Sequence, residues 1–184
     1  MTHANEEGGY QPALAPDWSF FATSGHWLQV DISHQKLYVI RRGIVELSFP
    51  VSTGLNGVGE EEGSGQTPLG WHLVRAKIGQ GHPANAVYRG RRWTGECYTE
   101  QLGRENPDRD WILGRILWLS GLELGRNRLG NRDTMRRYIY LHGTPDTEPM
   151  GIAQSHGCIR MRLQDIVLLF EVVPVYLPVY IGNV

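Results

Sequence analysis

The strongest constraint on the fold lies in residues 27–51, where short apolar runs alternate with turn residues and a period of two replaces any helical repeat. Residues 27–32 and 36–40 read as strands joined by the polar turn Ser33-His34-Gln35. After the Arg42-Gly43 turn a third strand follows over 44–51, with Val45, Leu47 and Phe49 on one face that is expected to be buried. Further strand signals fall at 70–77, at 86–89 and at 138–141. Residues 110–121 are apolar on both faces, a pattern shared by buried strands and buried helices. Gly114 and Gly121 bracket the inner run and favour a strand over 115–119. Residues 163–173 form an amphipathic helix that stops before Pro174 and is expected to pack beneath the cysteine-bearing loop just upstream. A last strand over 175–181 contains Pro178, which suggests a sheet edge.

These signals describe a mainly β (α+β) domain over residues 26–184 with one C-terminal helix. Pro12, Pro16 and Gly8-Gly9 break all periodicity in residues 1–25, which read as a flexible arm. A chain of 184 residues buries a core without disulfide staples, and its 23 glycines fit a turn-rich β protein. Its net charge of -1 supplies no basic field for nucleic acid. Two cysteines, Cys97 and Cys158, make no disulfide framework. Acids stand at Glu6 and Glu7 where a secretory leader carries bases, and no run approaches the roughly 18 apolar residues of a membrane span. The expectation is a cytoplasmic protein; the alternative is a periplasmic one whose leader has been removed.

Two segments invite a sharper reading. The Gly-rich stretch 52–68, with Glu60-Glu61-Glu62, lacks the lysine and the following helix of a phosphate cradle, so it reads as a mobile surface loop able to serve as a lid. Arg126, Arg128, Arg132, Arg136 and Arg137 read either as solvated cations paired with nearby acids or as a surface for anions.

The chemistry concentrates in Tyr140-Leu141-His142-Gly143-Thr144 and in Ser155-His156-Gly157-Cys158-Ile159-Arg160-Met161. A thiol becomes a nucleophile when it loses its proton, and a nearby imidazolium or backbone amides lower its pKa. His156 lies two residues from Cys158 and His142 sixteen residues back; spacing alone does not choose between them. Gly157 permits a tight bend and close approach of a substrate to the amides beside Cys158, as an oxyanion site requires. The Gly143 carbonyl can orient the His142 ring, giving a nucleophile, base and orienter in sequence. Zinc ligation by Cys158, His156, His142 and Cys97 has the right ligand types without an anchoring Cys-x-x-Cys pair, so neither a metal nor a cofactor is expected. Cys97 reads as an incidental thiol.

The His142-Gly143-Thr144 and Ser155-His156-Gly157-Cys158-Ile159-Arg160-Met161 elements resemble the signature of the L,D-transpeptidase (YkuD-like) catalytic domain. Weaker similarity extends to Val51-Ser52-Thr53-Gly54 and Thr67-Pro68-Leu69-Gly70. The resemblance implies a β-sandwich-like domain and a cysteine acyl-enzyme mechanism on peptidoglycan stem peptides. Cys158 would be the nucleophile and His142 its base. His156 and Gly157 would shape the oxyanion site, Ser155 would brace the loop, and Arg160 would hold a substrate carboxylate. With water as acceptor the reaction is L,D-carboxypeptidation, releasing terminal D-Ala from a tetrapeptide during peptidoglycan recycling; with an amine it is L,D-cross-linking in the periplasm. A third reading is a non-catalytic muropeptide- or zinc-binding module.

Overall fold

The computed structural model describes residues 25–183, so the arm expected over 1–25 lies, but for Gly25, outside the described residues. The meander signals become β1 (His26–Asp31), β2 (Lys36–Arg41) and β3 (Ile44–Ser52). Next come β4 (Gly70–Ile78), β5 (Ala86–Arg89), β6 (Arg92–Cys97) and the short helix α1 (Glu100–Glu105). The doubly apolar run is β7 (Ile112–Gly121), longer than the stretch between its glycines because Gly114 sits within it. The chain closes with β8 (Tyr140–Thr144), β9 (Ile159–Arg162), α2 (Leu163–Val172) and β10 (Pro178–Gly182).

One sheet runs in the order β4-β10-β1-β2-β3-β9-β8-β7-β5-β6, and a further β4–β7 pairing joins it back on itself. The sheet therefore curls around its own core, with the β5–β6 hairpin attached to β7 outside the ring. β10 lies between β4 and β1, so the edge position expected for it does not hold. Pro178 is tolerated because it is the strand's first residue, where a missing N–H costs little of the ladder.

Strand alternation sorts side chains into three apolar clusters, two of which flank β7, β8 and β9 at the site. Leu117 and Leu119 of β7, Leu141 of β8, and Ile159 and Met161 of β9 face the main core, where α2 adds the fully buried Ile166, Leu169 and Phe170. Ile116, Trp118, Tyr140 and Cys158 point to the opposite face and pack with Ala86 and Tyr88 of β5. The helix thus supports β7, β8 and β9 from behind while their other face carries the chemical residues. Lys77 holds its C-terminal end, its Nζ donating to Phe170 O at 2.5 Å and Val173 O at 2.7 Å, where helix carbonyls lack partners.

In β3 the expected buried face begins only at its far half. Phe49 and Val51 are buried, whereas Ile44 and Val45 are exposed. A bulge opposite Val39/Ile40 shifts the register there, so alternation read from Val45 onward spans two different settings.

His72 of β4 is fully buried, its ring nitrogens against Gly70 O at 3.0 Å and Thr134 Oγ1 at 3.1 Å. Burial pushes its pKa from 6.5 down to about 3. Between those values the unfolded chain binds a proton that the folded one refuses, so stability contributed above pH 6.5 is lost as pH falls toward 3. The urea midpoint should drop over this window, and His72→Gln should flatten that part of the profile relative to the parent.

Candidate active site

β8 and β9 run parallel with Leu141 opposite Ile159 and His142 opposite Arg160. Since residues two apart share a face, Tyr140, His142, Cys158 and Arg160 stand together on the face away from α2. His142 is 2 % exposed, and its Nδ1 lies 2.8 Å from the carbonyl oxygen of Gly143. A carbonyl can only accept, so Nδ1 carries the proton and Nε2 presents its lone pair. Gly143 has a second reason to lack a side chain: a Cβ would lie 2.6 Å from Leu113 O and 2.9 Å from a methyl of Ile166 in α2.

The cysteine loop is braced from within and from behind. Ser155 Oγ donates to Cys158 O at 2.5 Å and accepts from the Gly157 amide at 3.1 Å. That Gly157 amide is therefore occupied, and the Cys158 amide is the better candidate for an oxyanion. Gly157 adopts φ +116°, a region that favours glycine, and its carbonyl accepts from Thr67 Oγ1 at 2.9 Å. The Ser155 amide bonds Thr53 O and its carbonyl accepts from the Leu55 amide.

The stretch 52–68 is thus not the loose surface loop its composition suggested. Ser52, Thr53 and Thr67 are buried, Thr67 Oγ1 also accepts from the Gly54 amide, and Arg137 donates to Gly59 O and Gln66 O. Glycines here allow close backbone approach, as at Gly54, where a Cβ would lie 2.8 Å from Gly65 O. The segment is the platform on which the cysteine loop rests.

The thiol itself departs from expectation. Cys158 Sγ donates toward Tyr138 O and accepts from the Tyr140 amide, both at 3.4 Å, so at rest its proton points to a carbonyl and not to either imidazole. Burial, which outweighs the Tyr140 amide, pushes the thiol up to about 11 where a lowered value was anticipated. Burial likewise lowers the His142 pKa, against the raising effect of the Gly143 carbonyl. Both groups are therefore neutral near pH 7, a protonated thiol and an unprotonated imidazole on the same face of the sheet.

His156 is not part of this pair. Its side chain is 81 % exposed, with Nδ1 3.8 Å from Asp110 Oδ2. Arg160 is nearly buried; it bonds Asp110 Oδ1 at 2.8 Å and lies 3.5 Å from Glu148 Oε2. Two acids already answer its charge, which weakens the case for it as the holder of a substrate carboxylate. These groups line a small cleft of about 130 Å³ with Trp111 and Thr144. On the other side a cleft of about 620 Å³ is lined by Trp118 and Tyr138 together with Glu62, Arg91 and Arg136. Asp110, Tyr138 and Arg91 went unmarked in the sequence. The tyrosine had a signal, since Tyr138, Tyr140 and His142 recur at a period of two. Of the arginine-rich segment, Arg126 pairs with Glu123 and Arg132 with Glu61, whereas Arg136 faces the larger cleft.

Among the described residues, no group of three or more His, Cys, Asp or Glu side chains is placed to hold a metal ion. Nor is any helix there long and apolar enough to cross a membrane.

The family description "L,D-transpeptidase catalytic domain" (YkuD) matches residues 25–181, the whole closed sheet with its helix. The chain belongs to the L,D-transpeptidase catalytic domain family. Solved structures of L,D-transpeptidases share its fold. L,D-transpeptidase 3 from Mycobacterium tuberculosis, in complex with a faropenem-derived adduct, has a TM-score of 0.53 at 18 % identity, over 86 % of this chain and 60 % of that one. An L,D-transpeptidase from Mycobacterium smegmatis has a TM-score of 0.50 at 19 % identity, over 85 % of this chain and 58 % of that one. The Enterococcus faecium L,D-transpeptidase has a TM-score of 0.52 at 17 % identity, over 85 % and 49 %. This L,D-transpeptidase domain thus spans less than two thirds of the length of these proteins. No curated protein matches the chain.

Proposed function

We propose that this domain is a cysteine acyltransferase on peptidoglycan stem peptides, acting as an L,D-carboxypeptidase that releases terminal D-Ala from tetrapeptides. The observation that carries the proposal is His142 fixed by the Gly143 carbonyl on the same sheet face as Cys158, its Nε2 open as a base. As Sγ attacks the peptide carbonyl, the thiol leaves Tyr138 O and gives its proton to Nε2, so no free thiolate is needed beforehand. The oxyanion forms beside the Cys158 amide. Collapse expels D-Ala, whose amine takes the proton from His142, and leaves a thioester on Cys158. Nε2 then deprotonates a water that attacks the thioester, the tripeptide leaves with a new carboxylate, and the thiol recovers its proton.

Water is the acceptor in this reading. Two free cysteines, one of them exposed, suit a reducing compartment, where soluble muropeptides of the recycling route are the substrates. The test is incubation of the protein with a disaccharide tetrapeptide, with and without an amine-bearing second stem. D-Ala and tripeptide should appear in equal amounts with no cross-linked product. Dimer as the main product would establish transpeptidation in its place, and no D-Ala under either condition would overturn both.

A further inference from the structure

Arg137 stands one residue before Tyr138 on the way into β8, and its side chain lines neither of the clefts described above. It is half-buried, and its guanidinium is given over to neutral oxygens of the platform. Nη1 donates to Gly59 O at 3.0 Å, and Nη2 donates to Gln66 O at 2.7 Å and to Ser64 Oγ at 3.3 Å. Among the described residues no carboxylate stands within ion-pair distance of it, and Glu60, Glu61 and Glu62 act on its charge only from farther off. A cation taken partly out of water without an acid in contact is costly, and hydrogen bonds to neutral acceptors offset only part of that.

Both ends of this contact bear on Cys158. Gln66 O is close enough to the cysteine loop that a Cβ on Gly157 would lie 3.0 Å from it, and the next residue, Thr67, holds Gly157 O. At the other end Tyr138, with a positive φ of +58°, offers its carbonyl to Cys158 Sγ. The Arg137 amide bonds Asp133 O and the Tyr138 amide bonds Met135 O, so a tight turn links the guanidinium to that carbonyl. The charge reaches the sulfur as well, favouring the thiolate against the burial that disfavours it. Of the other groups around the sulfur, His142 is neutral, Tyr138 and Tyr140 contribute backbone dipoles, and Asp110 and Arg160 act in opposite senses while pairing with each other at 2.8 Å. Of these two arginines, Arg137 is thus the one with no carboxylate in contact.

We propose that Arg137 is a positioning residue for the nucleophile, pinning the platform and the Tyr138 carbonyl to each other around Cys158 and setting a fixed positive charge near the sulfur. This rests on the reading of Cys158 as the nucleophile, and it gives Arg137 no contact with substrate. Sulfur gains negative charge as its proton passes to His142 Nε2, and again when it leaves the thioester. A cation already in place stabilises it at both moments without any reorganisation.

The deciding measurement needs no peptide. Alkylation by iodoacetamide is followed between pH 7 and pH 10 on the full-length protein in a Cys97→Ser background, for the parent, Arg137→Gln and Arg137→Lys. Arg137→Gln should react at least about threefold more slowly than the parent, because less of the thiol is ionised, whereas Arg137→Lys keeps the charge and should stay within about twofold of the parent. A smaller drop for Arg137→Gln, a rise such as a loosened loop would give, or an Arg137→Lys rate as slow as that of Arg137→Gln would overturn the proposal. On a tetrapeptide, Arg137→Gln should lower kcat by at least about threefold and leave KM within about twofold. A raised KM with unchanged kcat would make Arg137 a substrate contact and overturn its role as a positioning residue. Should circular dichroism show that Arg137→Gln loses its fold, Arg137→Lys decides alone, and a rate more than about twofold from the parent's overturns the assignment. Failure of D-Ala release by the unaltered protein leaves the alkylation test intact and counts only against the catalytic reading.

Discussion

Replacing His142 with glutamine is expected to lower kcat for D-Ala release by about 10²–10⁴-fold while leaving KM nearly unchanged. Glutamine can still donate to the Gly143 carbonyl, which His142 Nδ1 contacts at 2.8 Å, so the backbone there has no reason to move. What is lost is the lone pair on Nε2, and with it the acceptor for the thiol proton. His156→Gln is the natural control. Its ring is largely in solvent beside Asp110, and its loss should change kcat by less than about tenfold, well short of the range of a lost general base. Steady-state kinetics on a tetrapeptide, with circular dichroism to verify folding, compares the two directly. Equal losses would assign the base wrongly.

The second large effect concerns the free thiol. With the Cys158 thiol pushed up to about 11 by burial, the thiolate is the minor form at pH 7. Alkylation by iodoacetamide, measured in a Cys97→Ser background because Cys97 is exposed, should therefore rise about tenfold per pH unit from neutrality toward pH 11. A preformed thiolate–imidazolium pair would give a plateau at or below pH 7. His142→Gln should leave the alkylation profile close to that of its parent, although it removes turnover. That contrast separates a base that acts during attack from one that ionises the sulfur at rest.

Much of the architecture was legible in the chain because its signals are local. β1, β2 and the buried run of β7 follow from alternation and from glycine and proline punctuation, and α2 follows from one amphipathic repeat before Pro174. The strands β6 and β9 escaped notice. β6 is polar and largely exposed, and β9 continues a motif rich in turn-forming residues. The placement of β10 depends on which strands pair across the ring, a long-range matter that Pro178 alone misrepresents.

The site divides along the same line. Ser155 Oγ meets Cys158 O and Gly143 O meets His142 Nδ1 between near neighbours in the chain, where a local motif can suggest a contact. Arg160 is neutralised by Asp110, fifty residues away, and Arg91 reaches Tyr140 from a different hairpin. Nor does composition reveal that a Gly-rich stretch with three consecutive glutamates packs behind the cysteine through Thr67. The thiol's raised pKa has the same origin, since burial comes from the assembled fold and not from the residues flanking Cys158.

The proposed mechanism places the acyl group on Cys158 Sγ, and mass spectrometry of the protein quenched in acid during turnover of a tetrapeptide reads this directly. A thioester-linked tripeptidyl group on the peptide containing Cys158, absent from Cys158→Ala, is the predicted result. Continued D-Ala release by Cys158→Ala, or an adduct confined to Cys97, would contradict it.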